Sequence, residues 1–140
     1  MPQREFDHGD IDPADAIIEK IGLIDDFDVF YNKVLVGVYE RPDKMKKIVR
    51  DDGTTGQIII PDSIREEDRY QGKVGLVLKI GPTAFVDDGG AQFHGQKVEK
   101  GEWVVFRPSA GLKMEINKTL CVLLQDVQIE MRVPQPDLVF

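Results

Sequence analysis

The side chains best suited to chemistry in this chain are two histidines, His8 and His94, one cysteine, Cys121, and three pairs of adjacent acids, Asp25-Asp26, Asp51-Asp52 and Asp87-Asp88. Imidazole and thiolate at short spacing would hold zinc, and paired carboxylates in a buried site would form an acid–base couple. Neither arrangement is present. The histidines and the cysteine stand far apart along the chain, without the spacing of a metal site. The acid pairs fall among turn-forming residues, where water keeps both carboxylates ionised, so they read as solvated turns. His94, between Phe93 and Gly95, reads as an exposed turn residue, and Cys121, inside Leu120-Cys121-Val122-Leu123-Leu124, as an inert core residue. Trp103 and Phe106 read as core or subunit-interface aromatics rather than a stacking platform for bases, which would want interleaved Lys and Arg. No glycine-rich phosphate loop follows a strand. The residues predict no catalytic group, no bound metal and no cofactor of the chain's own.

The chemistry that remains is association. Gly53-Thr54-Thr55-Gly56-Gln57-Ile58-Ile59-Ile60-Pro61 places three consecutive isoleucines inside a long, charged, turn-rich connection, between Arg41-Pro42-Asp43-Lys44-Met45-Lys46-Lys47 and Arg65-Glu66-Glu67-Asp68-Arg69. An apolar triplet in such a loop costs solubility unless something covers it. Ile58, Ile59 and Ile60 are therefore a candidate docking motif; the competing reading is a buried strand.

Composition bounds the rest. A chain of 140 residues, 41% hydrophobic and 31% charged, suits one soluble globular domain. It has no apolar run long enough for a transmembrane helix. The acidic start lacks an apolar signal core and the single cysteine has no disulfide partner, so a reducing, cytoplasmic setting is expected. The net charge of −7 lies wholly in residues 1–28, with nine acids against Arg4 and Lys20. Residues 29–140 balance sixteen acids with sixteen bases. Neither part offers the basic footprint of a nucleic-acid-binding surface.

The elements that would position the triplet are short strands. Before them, Asp12-Pro13-Ala14-Asp15 opens a short helix, with Asp12 as N-cap and Pro13 at its first position, closed by Gly22. Ala14, Ile17, Ile18 and Ile21 form its apolar stripe, which must pack on its own domain or on a neighbouring subunit. Strand patterns follow at residues 29–39, at 72–81 with Val74, Leu76, Leu78 and Ile80 on one face, at 103–107, 114–116 and 120–124, and at 127–133 with Val127, Ile129, Met131 and Val133 on one face. Asp87-Asp88-Gly89-Gly90 joins residues 83–86 and 91–93 as a hairpin. About seven short strands broken by Gly, Pro and Asp predict an all-β fold, a small barrel or sandwich. The expected organisation is an acidic extension at residues 1–28, a β-barrel at 29–133 and an extended tail at 134–140.

The order of these elements resembles the small co-chaperonins, the GroES family, over about residues 29–131. The likeness rests on Asn32-Lys33-Val34-Leu35-Val36; on Gly56 followed by the aliphatic triplet and Pro61; and on Gln71-Gly72-Lys73-Val74 leading to Ile80-Gly81-Pro82. It continues through Val98-Glu99-Lys100-Gly101-Glu102-Trp103-Val104-Val105-Phe106 and closes with Leu123-Leu124-Gln125-Asp126-Val127. Departures are Gln57, where the family usually has a second glycine, and Arg107-Pro108-Ser109-Ala110-Gly111, where a tyrosine is often found. The added acidic extension and tail make the chain similar to long co-chaperonins encoded by tailed bacteriophages.

This resemblance implies a GroES-like β-barrel with a mobile loop at about residues 43–71, flanked by Gly53, Gly56, Pro61 and Gly72, and a roof hairpin at about residues 82–97 around Asp87, Asp88, Gly89 and Gly90. It implies that seven copies cap a GroEL-like chaperonin ring and assist folding of an enclosed client, in the host cytoplasm for a phage-encoded member. ATP would be bound and hydrolysed by the partner. Ile58, Ile59 and Ile60 would enter an apolar groove on that ring, and the first and last strands, with Val34, Val36, Val127 and Ile129, would join neighbouring subunits. The alternative is a phage structural or assembly protein that keeps the barrel without binding a chaperonin. An enzyme related to the GroES-like domain of medium-chain alcohol dehydrogenases would need a nucleotide-binding domain and zinc ligands, which this sequence lacks.

Overall fold

The computed structural model describes residues 11–40, 48–49, 55–56, 73–87, 89 and 92–138. The helix forms where its caps place it. α1 spans Pro13–Ile21, the Asp12 carboxylate accepts from the Ala14 amide at 3.0 Å, and Gly22, at φ +73°, donates its amide to the Ile18 carbonyl. Among the described residues eight strands follow: β1 Lys33–Val38, β2 Ile48–Val49, β3 Thr55–Gly56, β4 Val74–Ile80, β5 Trp103–Phe106, β6 Leu112–Ile116, β7 Thr119–Gln125 and β8 Ile129–Val133. β2 and β3 pair with each other, and the other six form one antiparallel sheet in the order β6-β7-β1-β4-β5-β8. The fold is the all-β arrangement with one short N-terminal helix that the sequence predicts.

The central strands of the sheet are buried on both faces, which explains why β1 reads as a nearly continuous apolar run. One face gathers Val34, Val36, Val77, Val104, Phe106, Leu120, Val122 and Leu124 into a single cluster. Residues of β1, β4, β5 and β7 meet there, so the sheet rolls around this cluster. The other face carries Leu35, Tyr39, Val74, Leu76, Leu78, Trp103 and Cys121, with Ile21 of α1 buried among them. Ala14 and Ile17 pack beside Ile21, whereas Ile18 is 49% exposed. The helix stripe thus covers its own domain, three residues wide rather than four.

Two expected stripes are broken by bulges. β1 pairs with β4 as Leu35 with Lys79 and then Val36 with Val77, so Leu78 is an extra residue. β5 pairs with β8 as Val105 with Met131 and then Phe106 with Ile129, so Glu130 is extra. An extra residue reverses which side of the sheet the following side chains take. Val74, Leu76 and Leu78 face the α1 side, and Ile80 packs in the opposite cluster. Likewise Val133 packs on the α1 side and Ile129 on the other. Val127 is not in the strand; it lies in a 3-10 turn, Asp126–Gln128.

The placement of Val34 and Val36 at a subunit interface is corrected by this topology. Both are fully buried in the chain's own core, and β1 is hydrogen-bonded along both edges, to β4 and to β7. A strand with two partners has no free donors or acceptors for a third. Among the described residues of the expected hairpin at 82–97 there is no strand: 82–85 and 92–95 run as turns and bends, and Gly89 lies in a 3-10 turn.

Candidate docking loop and its anchorage

The long connection carrying the isoleucines leaves and returns at one point. β1 ends beside the start of β4, and the Tyr39 amide donates to the Val74 carbonyl at 2.9 Å. Next to it the Phe106 amide donates to the Lys73 carbonyl, also at 2.9 Å, fixing the return of the chain onto β5. The Tyr39 ring stacks edge-on against Trp103, centroids 5.7 Å apart at 63°, a favoured aromatic geometry. Trp103 is therefore a core residue at the loop's root. Of the expected docking and flanking residues, Gly56 pairs with Ile48 in the short β2–β3 ladder. Gly53, Ile58, Ile59, Ile60, Pro61 and Gly72 lie outside the described residues, as do Asp88 and Gly90 of the roof segment.

The segment expected to form a roof is organised by Asp87. Its carboxylate accepts from the Gln92 amide at 2.8 Å and the Gly95 amide at 3.2 Å, and Phe85 packs edge-on against Phe93 with centroids 5.5 Å apart. Desolvation raises this carboxyl, but hydrogen bonds from the backbone of Gln92, Gly95, Phe93 and His94 outweigh it and hold the group below its ordinary value. Asp87 is thus the knot of a turn rather than one half of an acid–base couple. A lowered folded pKa means that the stabilisation is complete above the ordinary carboxylate value of 3.8 and disappears as pH falls through the lower folded value. Amide chemical shifts of Gln92 and Gly95, followed from about pH 5 to about pH 2, should report this loosening. Asp87→Asn should abolish the titration of both signals; a titration that survives the substitution would assign it to another group.

A second carboxylate, Asp126, was legible in the sequence only as part of a closing motif. It is buried. Its oxygens accept from Asn32 Nδ2 at 3.1 Å, the Phe85 amide at 3.1 Å and the Val127 amide at 2.7 Å, and its own amide donates to the Asn32 carbonyl. One side chain thereby ties the entry of β1, the base of the roof segment and the end of β7. The signal for it is an acid directly following an apolar strand, which alone does not separate a hub from a turn.

The remaining reactive groups are structural. Cys121 is fully buried, and that burial pushes its thiol up to about 11, against a smaller lowering by a backbone hydrogen bond from Ile116. A thiol so raised is a poor nucleophile near neutral pH. His94 is exposed, in a left-handed backbone conformation at φ 53°. Among the described residues there is no group of three His, Cys, Asp or Glu side chains placed to hold a metal ion, and no helix long and apolar enough to cross a membrane.

The chaperonin 10 kDa subunit family model matches residues 28–131, from just before Asn32 of the hub through most of β8. This chain belongs to the chaperonin 10 kDa subunit family. It is also 33% identical over 73 residues to the co-chaperonin GroES of Solidesulfovibrio magneticus, a stretch covering 52% of this chain and 70% of that protein. The 10 kDa family match spans β1 to β7 and most of β8, the connection between β1 and β4, and both carboxylate knots. α1 and the C-terminal tail lie outside it. The co-chaperonin family is not an enzyme family, and its members are partners of a larger chaperonin.

Proposed function

We propose that this chain caps a GroEL-like chaperonin ring in a nucleotide-dependent way and assists folding of an enclosed client in the cytoplasm. The observation that carries this reading is the family match over residues 28–131, which includes a loop whose ends meet at Tyr39 and Val74. Ile58, Ile59 and Ile60 form the contact with the ring. Their burial yields roughly 5–9 kcal/mol gross, at about 1.5–3 kcal/mol for each, and ordering the segment offsets several kcal/mol of it. A single loop therefore binds weakly. Several loops on one symmetric assembly bind firmly through effective concentration, and still release when the ring changes state. ATP is handled by the ring, and this chain supplies no nucleotide site.

The assembly that brings the loops together is a ring of copies, seven by resemblance. Among the described residues the outer edge of β8 has no strand partner, and Val127 and Met131 beside it are 56% and 50% exposed. A free edge bordered by apolar side chains is a natural place for a neighbouring copy. Val127 and Ile129 stay as interface candidates on this basis.

Nucleotide-dependent co-sedimentation with a bacterial chaperonin ring tests the reading. Wild type should pellet with the ring in the presence of ATP or ADP, and Ile59→Asp should lose that binding, because a carboxylate cannot enter an apolar groove unpaired. Failure of the wild type to bind would reject the capping role with that ring. Equal binding by both would reject the triplet as the contact.

A further inference from the structure

The two segments outside the family match converge on one place, the last residues before the docking loop. From the N-terminal side, α1 lays Pro13, Ile17 and Lys20 along Val38, Tyr39 and Glu40, enclosing a crevice of about 130 Å³. Lys20 Nζ lies 3.7 Å from a Glu40 carboxylate oxygen. Close approach is possible because residue 37 is glycine: a Cβ there would stand 2.9 Å from Ile17 Cγ2 and 3.2 Å from Leu78 Cδ1. From the C-terminal side, the chain turns through a 3-10 segment, Pro136–Leu138, whose Pro136 is buried. The Tyr39 hydroxyl donates to the Asp137 carboxylate there. Tyr39 is itself buried and stacked on Trp103. One residue is thus gripped through its amide by β4, through its ring by β5, and through its hydroxyl by the tail, while α1 holds its neighbour.

We propose that α1 and the C-terminal tail form a clasp on Tyr39 and Glu40 that fixes the direction in which the chain enters the docking loop, making Tyr39 and Asp137 positioning residues for partner binding. Its consequence for binding rests on the function proposed above; the clasp itself does not. The tail carries most of the hold, because a buried phenol donating to a carboxylate is a strong contact and a half-exposed ion pair such as Lys20–Glu40 a weak one. A loop whose root is already oriented loses less freedom on docking, so the clasp raises affinity without touching the partner.

The test uses the full-length protein with Tyr39→Phe, which keeps the ring and removes the hydroxyl, and separately a deletion of residues 134–140. Native-state hydrogen exchange is read at the Tyr39 amide and, as internal reference, at Val122 in the sheet centre. Each variant should speed exchange at Tyr39 about ten- to a hundredfold, the loss expected for a hydrogen bond to a charged group, and leave Val122 unchanged. Chaperonin-ring affinity should then fall several-fold. An unchanged Tyr39 rate, or equal acceleration at both amides, would overturn the clasp. Faster exchange at Tyr39 with undiminished ring affinity would overturn its positioning role. Should wild type fail to bind the ring at all, the proposed function falls, and the exchange data still decide the clasp.

Discussion

Gly81→Ala should destabilise the protein by about 3 kcal/mol or more, at the upper end of the cost of overpacking a filled site. The added Cβ would stand 2.2 Å from the Tyr31 carbonyl oxygen, 3.0 Å from that of Lys33 and 3.1 Å from that of Phe30. All three obstacles are backbone, so no rotamer change relieves the clash. The Gly81 amide also donates to the Lys33 carbonyl at 2.7 Å, and the Thr83 amide to the Tyr31 carbonyl at 3.1 Å. The methyl group would therefore push apart two segments that these bonds hold together. Urea unfolding at fixed protomer concentration measures the effect, since an assembling protein's stability depends on concentration. A loss below about 1 kcal/mol, within the range of ordinary substitutions, would mean that residues 30–33 yield easily and that the approach is not a constraint.

Asp126→Ala should cost a similar amount, about 3 kcal/mol, for a different reason. It removes the acceptor for Asn32 Nδ2 and for the Phe85 and Val127 amides in one step, and each buried donor left without a partner costs about 1–3 kcal/mol less any recovery by entering water. Asp126→Asn preserves shape and one acceptor oxygen, so it should fall between alanine and wild type. Exchange of the Phe85 amide should accelerate more than that of Val122, because the base of the roof segment depends on the carboxylate directly. Equal stability of all three proteins would show the hub to be dispensable. The two sites share the segment around Asn32, so the double variant Gly81→Ala with Asp126→Ala should lose less than the two separate losses combined, the mark of coupled positions.

What the chain discloses by itself follows the range of the physics involved. α1 was legible to the residue, because Asp12, Pro13 and Gly22 act on their immediate neighbours. The strands were legible because Gly, Pro and Asp separate them. Which face each side chain takes was not, since Leu78 and Glu130 are bulged only by virtue of their partners Leu35–Val36 and Val105–Phe106. The same limit misled the interface reading of Val34 and Val36: alternation marks a strand, but only the pairing of β1 with both β4 and β7 shows that it lies inside the sheet. Asp126 and Tyr39 escaped because their partners, Asn32 and Asp137, are distant in sequence. The isoleucine triplet at 58–60 stood out for the opposite reason, as an apolar run that its charged surroundings do not explain.

The hydrogen bond from Tyr39 to Val74 has a consequence for how the protein can change over generations. It closes the domain at the base of the connection, so the hydrogen bonds of the sheet do not depend on how many residues stand between Glu40 and Lys73. The chain-entropy cost of closing a flexible segment grows only with the logarithm of its length, about 0.6 kcal/mol for each doubling. Insertions and deletions between Glu40 and Lys73 should therefore cost little stability. The length of that segment is left free to be set by the distance to whatever it must reach.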